Sequence, residues 1–341
     1  MKTIYSKKHH LRNSLTELSG GQLVKPFESP ERVEFILNEI IKRKLGPVFE
    51  PTIQDLDIIY KVHDKNYVNF LETAWSEWIK EGFVGEAIPT VWPSRSMNSK
   101  IIPNNIEGKL GYYCLANETS ISQGTIEGAY ESVKVVLTAV EMLKKEKSIF
   151  ALCRPPGHHA SKDQYGGYCF FNNIAIAAEK LIEKGAKKIF ILDIDFHHGN
   201  GTQEIFYNRS DVYFASLHGD PLEAFPHFLG HANEKGIDDG EGFNLNYPMP
   251  PNTSYVQWKK SLNEVVSEIE YFNPNFLLIS LGVDTYENDP ISFFKLKSDD
   301  YFDVGRIISN LNLPTLFVME GGYSIDEIGI NTVNILKGFE E

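Results

Sequence analysis

From Gly124 onward, apolar residues alternate between helical spacing and short continuous runs. Ala129, Val133, Val136, Val140 and Leu143 recur at the spacing of one helix face, so they predict a helix. Continuous apolar runs predict strands that are buried on both faces, over 148–153, 188–195, 212–218, 275–282 and 314–320.

Segments with helical spacing separate these runs. They predict helices over 172–185, near 202–208, over about 255–271, over about 299–311, and a last one ending near Lys337. Repeated strand, helix and strand units imply a parallel sheet with helices on both faces. Because no repeat or low-complexity linker divides the chain, we expect a single α/β domain over 1–341 with a mostly parallel central sheet.

The segment 82–105 interrupts this alternation, since it has three prolines and little periodicity. A structureless loop of this length is uncommon in a compact domain and is usually functional. Trp92, Ile101 and Ile102 would be costly to leave in water, so we expect this inserted loop to dock against another surface.

Composition narrows the class of protein. The chain is 42% hydrophobic and 23% charged, which is typical of a globular protein and excludes disordered, collagen-like and coiled-coil classes. Its formal charge of -13 would repel nucleic acid. Three scattered cysteines fit a reducing cytoplasm, and neither an apolar signal segment nor a membrane-spanning stretch is present, so we expect a cytoplasmic protein outside the membrane.

Polar residues follow the predicted strands at their carboxyl ends. His158 and His159 follow the first strand, Asp195 and His197 end the second, and Asp284 follows the fourth. The carboxyl ends of parallel strands meet at one edge of a sheet, where loops bring residues from several strands together. We therefore expect one site at that edge.

Asp195 and His197 are two residues apart on an extended segment, so their side chains point to the same side. With Asp284 they offer two oxygens and one nitrogen and leave a position open, which is typical of a catalytic metal site. Zinc suits this set, and iron(II), cobalt or manganese would also be accepted.

The remaining groups fit hydrolysis by a metal-activated water. His158 and His159 could serve as general base and general acid, with Asp193 and Asn200 as nearby partners of their second nitrogens. Tyr323, which follows two glycines, could hydrogen-bond an oxyanion.

The segments RPPGHHA, GGYCFFNN, DIDFHHGNGTQEIFY, VYFASLHG, LGVDTYENDP and MEGGY together resemble the histone deacetylase-like amidohydrolases of the arginase-deacetylase superfamily. HHLRNSLTELSGGQLVKPFE, FLETAWSEW and HGDPLEAFPHFLG resemble the acetylpolyamine amidohydrolase branch of that family. The resemblance runs from end to end and implies the arginase-deacetylase fold.

The resemblance also implies roles for individual residues. Asp195, His197 and Asp284 match the zinc ligands, while His158 matches the general base, supported by Asp193, and His159 the general acid. The other matches are Tyr323 as the residue that polarises the acetyl carbonyl, Tyr168 and Phe225 as the substrate tunnel walls, and Asp193, Asp195, His197, Ser216 and Leu217 as a monovalent cation site that implies structural potassium. Asn200 stands where the eukaryotic class I enzymes of the family have aspartate, and it matches the polyamine branch.

The implied function is zinc-dependent deacetylation of small acetylated polyamines such as acetylputrescine, acetylcadaverine and acetylspermidine. Loop 82–105 matches an insertion associated with homodimer formation and a narrowed tunnel, and Glu107 and Glu118 are candidates to orient the cationic substrate. Two alternatives stay open: a lysine deacetylase acting on proteins or peptides, and a binuclear arginase-like hydrolase. A non-catalytic binding module is disfavoured because every group needed for amide hydrolysis is represented.

Overall fold

An eight-stranded parallel sheet forms the centre of the fold. The computed structural model describes residues 1–341, and its strands are β1 (Lys2–Ile4), β2 (Glu17–Ser19), β3 (Gln22–Val24), β4 (Val48–Phe49), β5 (Ser148–Ala151), β6 (Ile189–Asp193), β7 (Val212–Gly219), β8 (Asn244–Met249), β9 (Phe276–Leu281) and β10 (Thr315–Met319). The sheet order is β4-β1-β5-β10-β9-β6-β7-β8, and every neighbouring pair is parallel. β2 and β3 form a separate antiparallel pair.

Ten helices connect the strands and cover the sheet. They are α1 (Glu31–Lys42), α2 (Ile59–Val62), α3 (Lys65–Lys80), α4 (Ile106–Tyr113), α5 (Thr125–Leu143), α6 (Asn173–Glu183), α7 (Asn200–Phe206), α8 (Tyr255–Phe272), α9 (Asp300–Ser309) and α10 (Ile325–Glu340). Side-chain caps define some of their starts: Asn172 accepts the Ala175 N–H of α6, and Ser254 forms a capping box with Gln257 in α8. None of the ten combines the length and apolar composition that a membrane span requires.

Two hydrophobic cores lie on opposite faces of the sheet, because successive strand residues point to opposite sides. In β5, Ile149 and Ala151 belong to the core that also contains apolar residues of α3 to α7. Phe150, between them, belongs to the second core, with residues of α1, α8, α9 and α10. This two-sided burial explains why the central strands are apolar throughout.

The predicted α/β domain with a parallel sheet is confirmed. The five predicted strands are present, four of them slightly shorter than predicted and β7 one residue longer, and the last helix continues past Lys337 to Glu340. The sequence analysis missed β1 and β4, which have three and two residues, and β8, an edge strand with alternating polar residues.

Loop 82–105 contains no helix or strand. Trp92 is half-buried and its Nε1 donates to the Cys114 carbonyl at 2.9 Å, so the middle of the loop is attached to the domain at this point. Ile101 and Ile102, which were expected to dock as well, are 62% and 41% exposed. Within one chain, the expected docking therefore applies to Trp92 alone.

Candidate active site

The predicted site residues converge at the carboxyl ends of neighbouring strands. β5 leads to the tandem histidines, β6 to the D-x-H pair, β9 to Asp284 and β10 to Tyr323. These four strands are adjacent in the sheet, in the order β5-β10-β9-β6. The loops after them therefore share one edge, as expected for a parallel sheet.

Asp195, His197 and Asp284 form a buried group that could hold a metal ion, with ligand atoms all within 4.8 Å of one another. His197 Nδ1 lies 3.3 Å from Asp195 Oδ1 and 3.1 Å from Asp284 Oδ2. Burial and the neighbouring Asp195 carboxylate raise the pKa of Asp284 to about 6. Neither carboxylate pairs with lysine or arginine. Two adjacent buried carboxylates and an imidazole are a donor set that fits a divalent cation.

Backbone groups orient these carboxylates. The N–H of Phe196 donates to Asp284 Oδ1 at 2.8 Å, and the N–H of Gly321 donates to Asp195 Oδ2 at 2.7 Å. A Cβ at Gly282 or Gly321 would collide with the Asp195 carboxylate. Glycine at these positions therefore lets the backbone approach the Asp195 carboxylate closely.

The tandem histidines have different partners. His158 Nδ1 lies 2.9 Å from Asp193 Oδ2, and His159 Nδ1 lies 2.7 Å from Asn200 Oδ1. Because Asn200 Nδ2 donates to the His159 carbonyl at 3.3 Å, its Oδ1 faces the ring, which places the proton of neutral His159 on Nδ1. Its Nε2 is then free to accept a proton.

The same partners separate the two imidazole pKa values. Burial lowers the pKa of His158, but the carboxylates of Asp193 and Asp195 outweigh burial and raise it to about 10. Burial, reinforced by the nearby His158 and His197, lowers the pKa of His159 well below its usual value. The amide of Asn200 carries no charge that would reverse this effect.

Asp289 and Arg32 hold Tyr323 in place through hydrogen bonds to the backbone around it. Gly322 has a φ of 126°, a conformation that favours glycine, and the Tyr323 N–H donates to Asp289 Oδ2 at 2.7 Å. Arg32 Nε donates to the Gly322 carbonyl at 2.7 Å, and the Arg32 Cζ lies 4.9 Å from the centre of the Tyr323 ring. Burial raises the pKa of Tyr323 well above its usual value, so the phenol keeps its proton and can donate.

Glu320 is a functional neighbour that the sequence analysis missed. Its Oε2 accepts the N–H groups of Gly157 at 2.7 Å and His158 at 3.1 Å, so it fixes the backbone that carries the tandem histidines. Burial raises its pKa to about 7. Asp289 and Arg32 were missed as well, and the only signal for Glu320 and Asp289 was their presence within the MEGGY and LGVDTYENDP segments.

A cavity leads to these groups and encloses about 730 Å³, including the space at its open mouth. His159, His197 and Tyr323 contribute to its lining, and so do Tyr168 and Phe225. The Phe225 ring stands edge-on to the His159 ring at 5.0 Å, and the Tyr168 ring lies 5.6 Å from that of Tyr323. Both predicted tunnel residues therefore border the catalytic groups.

Carboxylates also border this cavity. Glu118 and Glu223 line it, and Glu118 is fixed because it accepts the Gly167 N–H at 2.7 Å. Glu17, which the sequence analysis did not identify, is buried and accepts a hydrogen bond from the Tyr168 hydroxyl at 2.8 Å. Glu107 lies in the exposed first turn of α4 and is not among the residues that line this cavity, so its role toward the substrate stays a prediction.

The predicted monovalent cation site lies behind the metal-ligating group. Asp193 on β6 and Ser216 on β7 are register partners, and both are buried with Leu217. Ser216 Oγ lies 2.8 Å from His218 Nδ1. Oxygen-rich buried positions of this kind suit a cation, and the site stays a prediction.

A family model, curated proteins and a solved structure all show similarity of this chain to deacetylases and acetylpolyamine amidohydrolases. Residues 26–339 match the family described as the histone deacetylase domain. The chain is 53% identical to acetylpolyamine amidohydrolase of Mycoplana ramosa, over 99% of both chains, and 46% identical to acetylpolyamine amidohydrolase 2 of Pseudomonas aeruginosa, over 100% of this chain and 99% of the other. The crystal structure of acetylpolyamine aminohydrolase from Burkholderia pseudomallei superposes with a TM-score of 0.94 at 34% identity, covering 99% of this chain and 98% of that one.

Proposed function

The chain belongs to the histone deacetylase family, and from this premise we propose that it removes the acetyl group from small acetylated polyamines by metal-dependent hydrolysis. The observation that carries the proposal is the convergence of Asp195, His197 and Asp284 with the tandem histidines and the Tyr323 phenol beside one cavity. The relatives named above as acetylpolyamine amidohydrolases support the substrate class.

The metal ligands of this proposal are Asp195, His197 and Asp284. Zinc fits this mixed oxygen and nitrogen set, and iron(II), cobalt or manganese fit it as well. A divalent ion bound there would act as a Lewis acid toward the acetyl carbonyl and the attacking water. The hydrogen bonds of Phe196 and Gly321 keep the two carboxylates in place for this purpose.

The histidines move the protons. His158 would accept the proton of the attacking water at Nε2. His159 is neutral with a free Nε2, so it would first take up a proton there from water in the cavity and would then deliver that proton to the departing amine, while His158 returns its proton to water once acetate leaves. A cation bound to Asp195 would weaken one of the two carboxylates that raise the pKa of His158, which would favour the release of its proton. Tyr323 donates its phenolic hydrogen bond to the oxyanion that forms from the acetyl carbonyl.

The cavity walls suit an aliphatic cationic substrate. Tyr168 and Phe225 present aromatic surface to a methylene chain, and ring faces also attract ammonium groups. Glu118 and Glu223 add negative charge along the same cavity, which complements the amines of a polyamine. A lysine deacetylase would share the catalytic groups but would act on a much wider main chain.

A substrate panel tests the proposal. The protein loaded with one defined metal would be assayed for acetate release from acetylputrescine, acetylcadaverine, acetylspermidine and an acetyl-lysine peptide. We expect the highest kcat/KM with an acetylated polyamine, and a higher KM for Glu118→Gln but not for the exposed control Glu127→Gln. Preference for the peptide would favour the lysine deacetylase instead, and two metal ions per chain would favour the binuclear hydrolase.

We also propose that loop 82–105 binds a second copy of the chain and narrows the cavity entrance. Its exposed apolar side chains support this, since Val84, Met97 and Ile101 are 96%, 55% and 62% exposed. Sedimentation should detect a dimer that Ile101→Glu weakens. The control Val256→Glu, at a 78% exposed position on α8, should remain dimeric, and a monomeric parent protein would contradict the proposal.

The potassium site is likewise a proposal for Asp193, Asp195, His197, Ser216 and Leu217, supported by their burial. Thermal unfolding in potassium chloride and in choline chloride at equal ionic strength tests it. Bound potassium stabilises the fold only if the site exists, so equal midpoints in the two salts would contradict it.

A further inference from the structure

The segment 220–230 carries Phe225 and is hydrogen-bonded to the rest of the domain at both of its ends. At one end, the Asp220 N–H donates to the Met249 carbonyl at 2.8 Å. Between the ends the backbone hydrogen bonds are local, such as Ala224 N–H to the Asp220 carbonyl at 2.8 Å. Ala224 and Pro226 are buried on either side of Phe225, whereas Phe228 is 87% exposed, so apolar packing does little to fix the part of the segment that leads from Phe225 to Gly230.

At the other end, Gly230 is held on both sides of its backbone. Its N–H donates to Glu234 Oε2 at 2.9 Å, and its carbonyl accepts from His218 Nε2 at 2.8 Å. His218 is fully buried and its Nδ1 is 2.8 Å from the Ser216 hydroxyl. We call Glu234, His218 and Gln203 the Gly230 clamp.

Gln203 on α7 connects this clamp to the rest of the domain. Its Nε2 donates to Glu234 Oε2 at 2.6 Å, while its Oε1 accepts from Asn244 Nδ2 at 2.9 Å and Asn246 Nδ2 at 2.8 Å. Asn246 Nδ2 also lies 3.3 Å from Glu234 Oε2. The Glu234 carboxylate therefore has a defined position set by α7 and β8.

The backbone at Gly230 is too closely packed to accommodate a side chain. Its φ is 103°, and a Cβ there would lie 2.8 Å from His198 Cγ and 2.9 Å from His218 Nε2. The backbone is thus packed directly on two buried rings whose centres are 4.6 Å apart. His198 follows the metal ligand His197, so the clamp relates the Phe225 segment to the catalytic groups.

We propose that Glu234, acting through the Gly230 backbone, is a positioning residue that holds Phe225 against the catalytic groups and thereby sets the width of the substrate cavity. Glu234 touches no substrate in this scheme. Its effect belongs to substrate binding and selectivity, because Phe225 borders the cavity without taking part in proton transfer. The expected changes in KM and selectivity rest on the proposed function, whereas the expected displacement of Phe225 does not.

The kinetic test compares Glu234→Ala with Glu234→Gln and the exposed control Glu241→Ala. For Glu234→Ala we expect the KM for acetylputrescine to rise about tenfold, equivalent to about 1.4 kcal/mol, with kcat within about twofold. The kcat/KM ratio of acetyl-lysine peptide to acetylputrescine should rise, because a displaced wall admits a wider substrate. Glu234→Gln should keep KM and selectivity close to those of the parent protein, since the glutamine amide oxygen can accept the same Gly230 N–H.

The structural test places 4-fluorophenylalanine at position 225 and follows its ¹⁹F resonance in the metal-loaded protein. Glu234→Ala should shift or broaden this resonance, and Glu234→Gln should leave it close to the parent position. If Glu234→Ala does not fold, Glu234→Asp, which keeps the charge but shortens the reach, takes its place. Unchanged KM, selectivity and resonance would overturn the proposal. A parent protein inactive on every acetylated amine would refute the proposed function, and the resonance would still decide the clamp.

Discussion

Replacing Asp289 with asparagine is expected to slow turnover by displacing Tyr323. Asp289 Oδ2 accepts the N–H groups of Tyr323 at 2.7 Å and Ser324 at 3.2 Å, and Oδ1 accepts the N–H of Ile291 at 3.1 Å. Asparagine offers one oxygen in place of two, so at least one of these N–H groups must face an NH₂ group. Asp289 is buried, and water can therefore replace the lost acceptor only poorly.

The magnitude follows from these contacts. A buried donor left without a partner costs about 1–3 kcal/mol, so we expect the free energy of unfolding to fall by about 2 kcal/mol. Complete loss of an oxyanion donor typically lowers kcat about 10²-fold to 10³-fold. Because Asp289→Asn displaces the phenol without removing it, we expect kcat to fall about 10-fold to 10²-fold, with a smaller change in KM.

Urea unfolding and initial rates on acetylputrescine would measure the two effects, with metal content checked in the same samples. Asp239→Asn, at an exposed position, is the matched control and should resemble the parent protein in both. A destabilised Asp289→Asn variant with full metal content and parental kcat would refute the reasoning. In that case Arg32 would be sufficient to hold the Tyr323 loop.

Three further predictions concern chemistry, metal and pH. Tyr323→Phe should lower kcat about 10²-fold to 10³-fold with little change in KM, measured by acetate release, and an unchanged rate would exclude the phenol from oxyanion binding. Removal of metal by a chelator should abolish activity and lower the midpoint of thermal unfolding. Zinc should restore both in the parent protein but not in Asp284→Asn. Activity that survives complete metal removal would contradict the proposed chemistry. Burial lowers the pKa of His63 to about 4, and the His63 Nε2 accepts the Asn172 N–H at 2.9 Å. The folded state therefore keeps His63 neutral, whereas in the unfolded state His63 takes up a proton below about pH 6.5. The free energy of unfolding should therefore fall by on the order of 3 kcal/mol between pH 6.5 and pH 4 through His63, and urea titrations should show a shallower dependence for His63→Gln; equal slopes would argue against this linkage.

The polar network around the tandem histidines shows why short motifs were informative here. His158 and His159 are adjacent in the chain, yet one pairs with a carboxylate and the other with an amide, which drives their pKa values apart. Two adjacent imidazoles with different partners therefore differ in which of them holds a second proton in the metal-free site. The identities of these partners could be anticipated because Asp193 and Asn200 lie within a few residues of the D-x-H pair.

Local pattern determined the architecture of this protein. Apolar runs of strand length separated by helical stripes require a parallel sheet buried on both faces, and polar residues that follow such strands must meet at one edge. Asp195, His197 and Asp284 could therefore be assigned to one site from the sequence. β1 and β4 could not be predicted, because strands of three and two residues leave too little periodicity to detect.

The distant residues that support that site are brought to it by the packing of the folded chain. Glu17 meets Tyr168, Asp289 meets Tyr323 and Glu234 meets Gly230 across loops whose paths depend on strand order and helix packing. The same packing leaves Glu107 in solvent, although it is close in sequence to the cavity residue Glu118. Periodicity is a property of each segment by itself, whereas these contacts arise when segments far apart in the chain are buried against one another.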